Sequence, residues 1–290
     1  LNLPQITIMF GLANLLTATN LCCGIVSIIF TLSGRLDLAA LFLFFSVAAD
    51  FADGFVARLT KTSGELGKQL DSLADVVSFG VAPGIFMMVM IVLGVDYSAL
   101  IDLKLTNSVA DTQKYFVFNQ IMAWFASLSY DVNNSFNASI KFLPFTALII
   151  PFFSMFRLAK FNIDTNQSDK FIGVPTPLST LFFLFFPLYF WYQKENWGHQ
   201  NDFIYGLFDC YTLAAISVLF STLMIAPLPL IALKFKSWGW RENTYRYLLV
   251  IISLISIPLF FVWSIPIIVI LYLILSIIEH NQRKKHEIQS

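Results

Sequence analysis

Charge is what this 290-residue chain has least of: 18 Lys and Arg and 18 Asp and Glu make up only 12% of it and cancel to a net charge of zero. No basic surface is available to neutralise a phosphate backbone, which excludes nucleic acid as a partner. Cysteine is nearly missing as well. Cys22 and Cys23 are adjacent and Cys210 is remote, which rules out a disulfide framework or a metal-ligand spacing and leaves all three as packing residues. The three histidines, His199, His280 and His286, fall in loop or tail sequence, with no His-x-Lys-x4-Asp pattern, which argues against a covalent phosphohistidine route. No internal repeat or compositional break marks a second domain, and residues 1–290 read as a single integral membrane domain.

What the chain has instead is apolar surface. Hydrophobic residues account for 57% of it and Phe alone for 31 positions, far from the balance of a soluble domain. The pattern predicts an all-α, polytopic helical membrane protein. Stretches near 9–31, 37–58, 73–94, 143–163, 177–193, 211–233, 245–261 and 264–280 are each long enough to cross a bilayer, given about 20 apolar residues per crossing. That makes about eight transmembrane helices, with a tight turn at Ser264-Ile265-Pro266 between the last two. The run Tyr115–Leu128 is too short to cross and reads as an interfacial or re-entrant helix in the one long loop, 95–142. Of the 18 basic residues, only Arg35, Lys104, Lys114, Lys141 and Lys194 lie opposite the side of the termini. The positive-inside rule therefore places the termini in the cytoplasm. The N-terminus lacks a basic n-region, so its first apolar stretch is expected to be a retained span.

Against that background, Asp50, Asp53, Asp71 and Asp75 stand out. An ionised Asp at the centre of a bilayer costs ~2.5–3.5 kcal/mol on insertion scales, so four of them need a cation or an aqueous cavity. Asp50, Asp53, Gly54, Ala57 and Arg58 lie at i, i+3, i+4, i+7 and i+8, one face of a helix, and Gly67, Asp71 and Asp75 repeat that spacing on the next. Between them Thr62-Ser63-Gly64-Glu65 reads as a capping box, with Thr62 as N-cap and Glu65 at N3. The short turn makes the two helices antiparallel neighbours. Carboxylates crowded in this way repel one another unless hard divalent cations neutralise them, and all-oxygen ligation is what Mg²⁺ and Mn²⁺ prefer. The faces predict a site for two divalent cations. Gly54 and Ala57 leave the helix almost bare for a flat or bulky ligand, and Arg58, one turn on, can grip a phosphate bidentately. Salt bridges are a weaker account, since Arg58, Lys61 and Lys68 are too few to balance four Asp and Glu65 in a dry site. A proton relay would scatter single acids along a path, not pack them into adjacent turns.

At these positions the chain resembles a known family. Asp50-x2-Asp53-Gly54-x2-Ala57-Arg58-x8-Gly67-x3-Asp71-x3-Asp75 matches the motif of the CDP-alcohol phosphotransferases at every fixed position. These are integral membrane enzymes that move a phosphatidyl group from a CDP-linked lipid to an alcohol. Leu70–Pro83, Phe156–Asn162 and Phe171–Pro177 look most like the branch that makes phosphatidylserine. Where the family often carries Pro-Asn-x-x-Thr before the motif, this chain has Ala13-Asn14-Leu15-Leu16-Thr17, without the proline. The resemblance covers roughly residues 5–180. It places a catalytic core at about 5–193 with additional C-terminal spans at about 211–280. It implies metal ligation by Asp50, Asp53, Asp71 and Asp75, with Asp75 also the general base and Asp71 beside it in catalysis. CDP-binding would fall to Asp50, Gly54, Ala57, Arg58 and Lys68. The implied substrates are CDP-diacylglycerol and L-serine, turned over at the cytoplasmic face of the cell membrane by a homodimer among membrane lipid.

The acceptor leaves the weakest trace. Free serine carries a carboxylate that needs a cation, and Arg157 and Lys160, three positions apart at the end of an apolar span, are the candidates, with a positive-inside anchor as the alternative for both. Asn162, Thr176 and Ser78 are candidates to add hydrogen bonds. Glycerol-3-phosphate or an inositol compound remains open as acceptor within the family. From another class, a divalent-cation transporter could use the same aspartates.

Overall fold

The structure, a computed structural model, describes residues 11–60, 64–95, 110–129, 140–163, 171–192, 206–231 and 239–289. It is a helical bundle. Helix α1 (Leu12–Leu32) turns at Ser33–Arg35 into α2 (Leu36–Thr60). The turn is tight because Gly34 takes a positive φ of 79°, which costs glycine little. With so short a link the two helices pack along their length, and Ser27 Oγ donates to the Ala39 carbonyl at 2.8 Å.

Helix α3 (Glu65–Asp75) runs on through a π-helical segment, Val76–Val81, into α4 (Ala82–Gly94). The result is one apolar rod, Glu65–Gly94. Gly64 is the N-cap of α3, with extended backbone and no side-chain cap, so Glu65 is the first helical residue and not the third, as the capping-box reading had it; Thr62 lies outside the described residues. From Phe86 to Leu93 almost every side chain of α4 is buried, which puts this rod at the centre of the bundle.

Around it stand α5 (Ala110–Ser129), a 3₁₀ turn Leu143–Leu148 leading into α6 (Ile149–Ile163), α7 (Thr176–Phe183), α8 (Phe185–Tyr192), α9 (Cys210–Ile225), α10 (Trp240–Phe260) and α11 (Ser264–Gln289). Helix α5 contains the expected 115–128 run and buries Val117, Ile121 and Trp124 against the centre. Among the described residues, five helical stretches are long and apolar enough to cross a membrane, and Thr176–Tyr189 and Cys210–Ile225 are shorter apolar helices. The longest stretch, Asn243–Gln282, is broken at Phe261–Trp263 into α10 and α11, which pack on each other. The chain is a polytopic helical membrane protein, as its hydropathy predicts, although the segments expected at 177–193 and 211–233 are shorter apolar helices. Its outer rows, such as Phe44, Phe51 and Phe55 on α2 or Leu254 and Ile255 on α10, are exposed. That is where lipid would lie.

Two boundaries differ from expectation. The stretch expected to span 211–233 ends as helix at Ile225, because Pro227 and Pro229 cannot donate to a continuing helix. Residues Pro229–Leu230 pair instead with Phe171–Ile172 in a two-residue antiparallel ribbon. Gly173, at φ 79°, follows the ribbon where a Cβ would collide with the Met224 carbonyl. The turn between the last two spans lies at Phe261, whose φ of 47° breaks the helix, and not at Ser264–Pro266. Those residues open α11, where proline is tolerated because first-turn N–H groups have no intrahelical partner.

Candidate active site

Helix α2 supplies Asp50 and Asp53 and helix α3 supplies Asp71 and Asp75, and the short connection between them brings the two faces together. One carboxylate oxygen from each of Asp50, Asp53 and Asp71 lies within 4.8 Å of the others. Asp53 and Asp75 are buried, at 5% and 7% exposure, while Asp50 and Asp71 are half-buried. No salt bridge reaches any of the four among the described residues, so the ion-pair account of these acids has no support in the fold. Asp71 Oδ1 is buried with no hydrogen-bond partner. An all-oxygen trio with one lone pair left unsatisfied is a donor set that suits a hard divalent cation.

The backs of these carboxylates are held by α1. Thr17 Oγ1 donates to Asp53 Oδ2 at 2.5 Å, and Asn20 Nδ2 donates to Asp75 Oδ1 at 3.1 Å. Sequence reasoning noted Thr17 only through the family pattern and missed Asn20 altogether. A signal for both was present, because Thr17, Asn20, Gly24, Ser27 and Thr31 recur every three or four residues and form the buried stripe of an otherwise apolar helix.

In front of the aspartates an open cleft of about 590 Å³ runs between α1, α2 and α3. Asp53 and Asp71 lie in its lining, together with Gly54, Ala57, Arg58 and Lys68. Its floor is bare at Gly54, where an added Cβ would meet nothing within 4 Å. Asn14 of α1 and Phe161 of α6 complete its walls. Lys68 Nζ donates to the Asn162 carbonyl at 2.7 Å, which uses one of its three donors.

Of the residues singled out for the acceptor, Arg157 and Thr176 meet, while Asn162 and Ser78 bond elsewhere and Lys160 is exposed. Arg157 turns inward from α6: Nη1 donates to Thr176 Oγ1 at 3.3 Å, Nε is buried without a partner, and Asp75 and Tyr272 are within electrostatic reach. Lys160 is exposed on the same helix. Asn162 Nδ2 donates to Ser72 Oγ at 2.7 Å, so it ties the end of α6 to α3. Ser78 is fully buried in the π-helical segment and donates to the Asn20 carbonyl at 3.0 Å. Its hydroxyl is committed inside the bundle.

The profile of the family described as CDP-alcohol phosphatidyltransferase matches residues 10–278. A protein of Helicobacter pylori strain J99 named CDP-diacylglycerol–serine O-phosphatidyltransferase is 30% identical over 246 residues, 84% of this chain and 81% of the relative. The Bacillus subtilis strain 168 protein of the same name is 28% identical over 169 residues, 57% of this chain and 68% of its own. The archaetidylserine synthase of Methanothermobacter thermautotrophicus is 27% identical over 183 residues, 62% of this chain and 59% of its own.

Proposed function

From the CDP-alcohol phosphatidyltransferase family, to which this chain belongs, we propose that the enzyme transfers the phosphatidyl group of CDP-diacylglycerol to the hydroxyl of L-serine, giving phosphatidylserine and CMP. The observation that carries the reading is the bare-floored cleft ending on Asp53 and Asp71. It offers room for a nucleotide beside carboxylates that make no salt bridge among the described residues. The relatives' names differ in the lipid and agree on serine, which favours serine over glycerol-3-phosphate or an inositol compound. A phosphorylated acceptor would also need several inward cations.

Gly54 and Ala57 seat the cytidine against the α2 backbone, and Arg58 and Lys68 at the rim meet the phosphates. We assign Asp50, Asp53, Asp71 and Asp75 to hold two divalent cations, Mg²⁺ or Mn²⁺, which when bound stabilise negative charge on the diphosphate and on the departing CMP. The serine oxygen attacks the phosphorus that carries the diacylglycerol. The bond from that phosphorus to the bridging oxygen breaks, its electron pair leaves with CMP, and the hydroxyl proton passes to Asp75. The site faces the cytoplasm in this reading, in keeping with the distribution of Lys and Arg.

Purified protein supplied with CDP-diacylglycerol and a panel of alcohols should release CMP with serine. Release only with a phosphorylated alcohol would overturn the acceptor, and no release with any alcohol would overturn the reaction. Within the same reading, Arg157 holds the serine carboxylate, because its buried Nε has no partner and it lies within reach of Asp75. A charge-assisted hydrogen bond is worth ~1.5–3 kcal/mol, so Arg157→Ala should raise the serine KM about ten- to a hundredfold. Donor KM should change less, and Arg157→Lys should restore only part, since an ammonium cannot grip a carboxylate as a planar fork does. An unchanged serine KM with a raised donor KM would assign Arg157 to the lipid diphosphate.

A further inference from the structure

Asn20 belongs to no motif and has no part in the chemistry so far, yet it joins Asp75 to both of the helices beside it. It is fully buried in α1, where an unpaired amide is costly. Its Nδ2 donates to Asp75 Oδ1 at 3.1 Å, its Oδ1 accepts from Ser46 Oγ, and its backbone carbonyl accepts from Ser78 Oγ at 3.0 Å. Ser46 stands one turn before Asp50 on α2, and Ser78 three residues after Asp75. Each is fully buried. The two helices that carry the aspartates therefore grip one amide from both sides.

The clamp has a polarity. With Oδ1 facing a hydroxyl donor, the amide turns its N–H toward Asp75, and a carboxylate that accepts such a bond is held in one orientation. Oδ1 of Asp75 is thereby the oxygen that α1 holds, and Oδ2 is the one left without a bond to Asn20. Gly24, one turn beyond Asn20, permits the approach: a Cβ there would stand 2.6 Å from Ser78 Oγ and 2.8 Å from Ser78 Cα.

We propose that Asn20, clamped by Ser46 and Ser78, is a positioning residue for phosphatidyl transfer that acts through Asp75 by fixing which carboxylate oxygen faces the acceptor hydroxyl. The inference rests on the proposed reaction and on Asp75 taking the acceptor proton. A structural role alone would loosen α1 from both helices and weaken donor binding together with turnover. A positioning role separates the two.

Asn20→Leu removes the donor at similar volume and should lower kcat about 10- to 100-fold. KM for serine and for CDP-diacylglycerol, and the thermal stabilisation by CDP, should stay at parental values. Ser46→Ala keeps the amide and removes only its clamp, so it guards against misfolding of the first variant; its kcat should fall about 3- to 10-fold with the same unchanged KM values. Parental kcat in folded Asn20→Leu or in Ser46→Ala would overturn the proposal. So would a loss of CDP binding in step with kcat. Parental CMP release is measured alongside: if the parent is inactive with serine, it is the proposed reaction that fails, whereas an active parent matched by both variants removes only the role of Asn20.

Discussion

Asp71→Asn should cut turnover by about 10³-fold or more, because stabilisation of transition-state charge by a bound cation is worth several kcal/mol and each ~1.4 kcal/mol is tenfold in rate. The same change should not weaken the metal-free fold. Three carboxylates within 4.8 Å of one another, with no salt bridge to any of them among the described residues, repel. Taking one charge away relieves that repulsion, so in EDTA the variant should melt at or above the temperature of the parent. Added Mn²⁺ should then raise the melting temperature of the parent and leave the variant nearly unmoved. Opposite signs for fold and for function are what a ligand site held at the expense of stability produces. A parent that turns over fully in EDTA would remove the cations from the reaction. A variant that melts well below the parent in EDTA would make Asp71 a structural residue.

The acidic pair of helices was readable from the chain because ionisable groups in apolar sequence are costly enough to need a reason, and helical spacing alone assigns Asp50 and Asp53, then Asp71 and Asp75, to single faces. The bare position at Gly54 followed from the same spacing. What spacing cannot supply is the rotation of one helix against its neighbour. Arg157 and Lys160 share a helix end in the sequence, yet one turns inward to Thr176 and the other to the surface. Asn162 and Ser78, both candidates for serine, each donate a bond that ties one helix to another.

Asn20 and Ser46 were missed for a different reason. In a bilayer the apolar side of a helix faces out, so the informative stripe is the small and polar one, and on α1 it runs Thr17, Asn20, Gly24, Ser27 and Thr31. Charge drew attention to α2 and α3 and away from the helix that orients their carboxylates. The π-helical segment at Val76–Val81 left no local mark either, since Val, Ser, Phe and Gly there suit an ordinary helix as well. Its result is specific: the Phe79 carbonyl faces the hydroxyls of Ser154 and Thr180, at 3.4 and 3.5 Å. That anchors the rod just past Asp75 to α6 and α7.

Asp75→Asn should separate the two roles assigned to this residue. Asp75 is one helical turn from Asp71, outside the trio whose oxygens gather within 4.8 Å, and within electrostatic reach of both that trio and Arg157. A carboxylate so placed can accept a proton from a hydroxyl while the serine carboxylate rests on Arg157. If proton removal is its main work, the amide should lower kcat by about 10²–10⁴-fold, the usual worth of a general base. Binding of CDP-diacylglycerol and stabilisation by Mn²⁺ should both persist, since losing a contact made in the transition state leaves ground-state affinity in place. Asn20 remains able to donate to the amide oxygen, so the backbone around it has no reason to move. The comparison with Asp71→Asn decides the matter. Should Asp75→Asn lose the Mn²⁺ response to the same degree, Asp75 acts chiefly as a fourth ligand and the proton must leave by another group. Should it retain parental kcat, Asp75 is neither base nor ligand, and the Asn20 clamp loses its object as well.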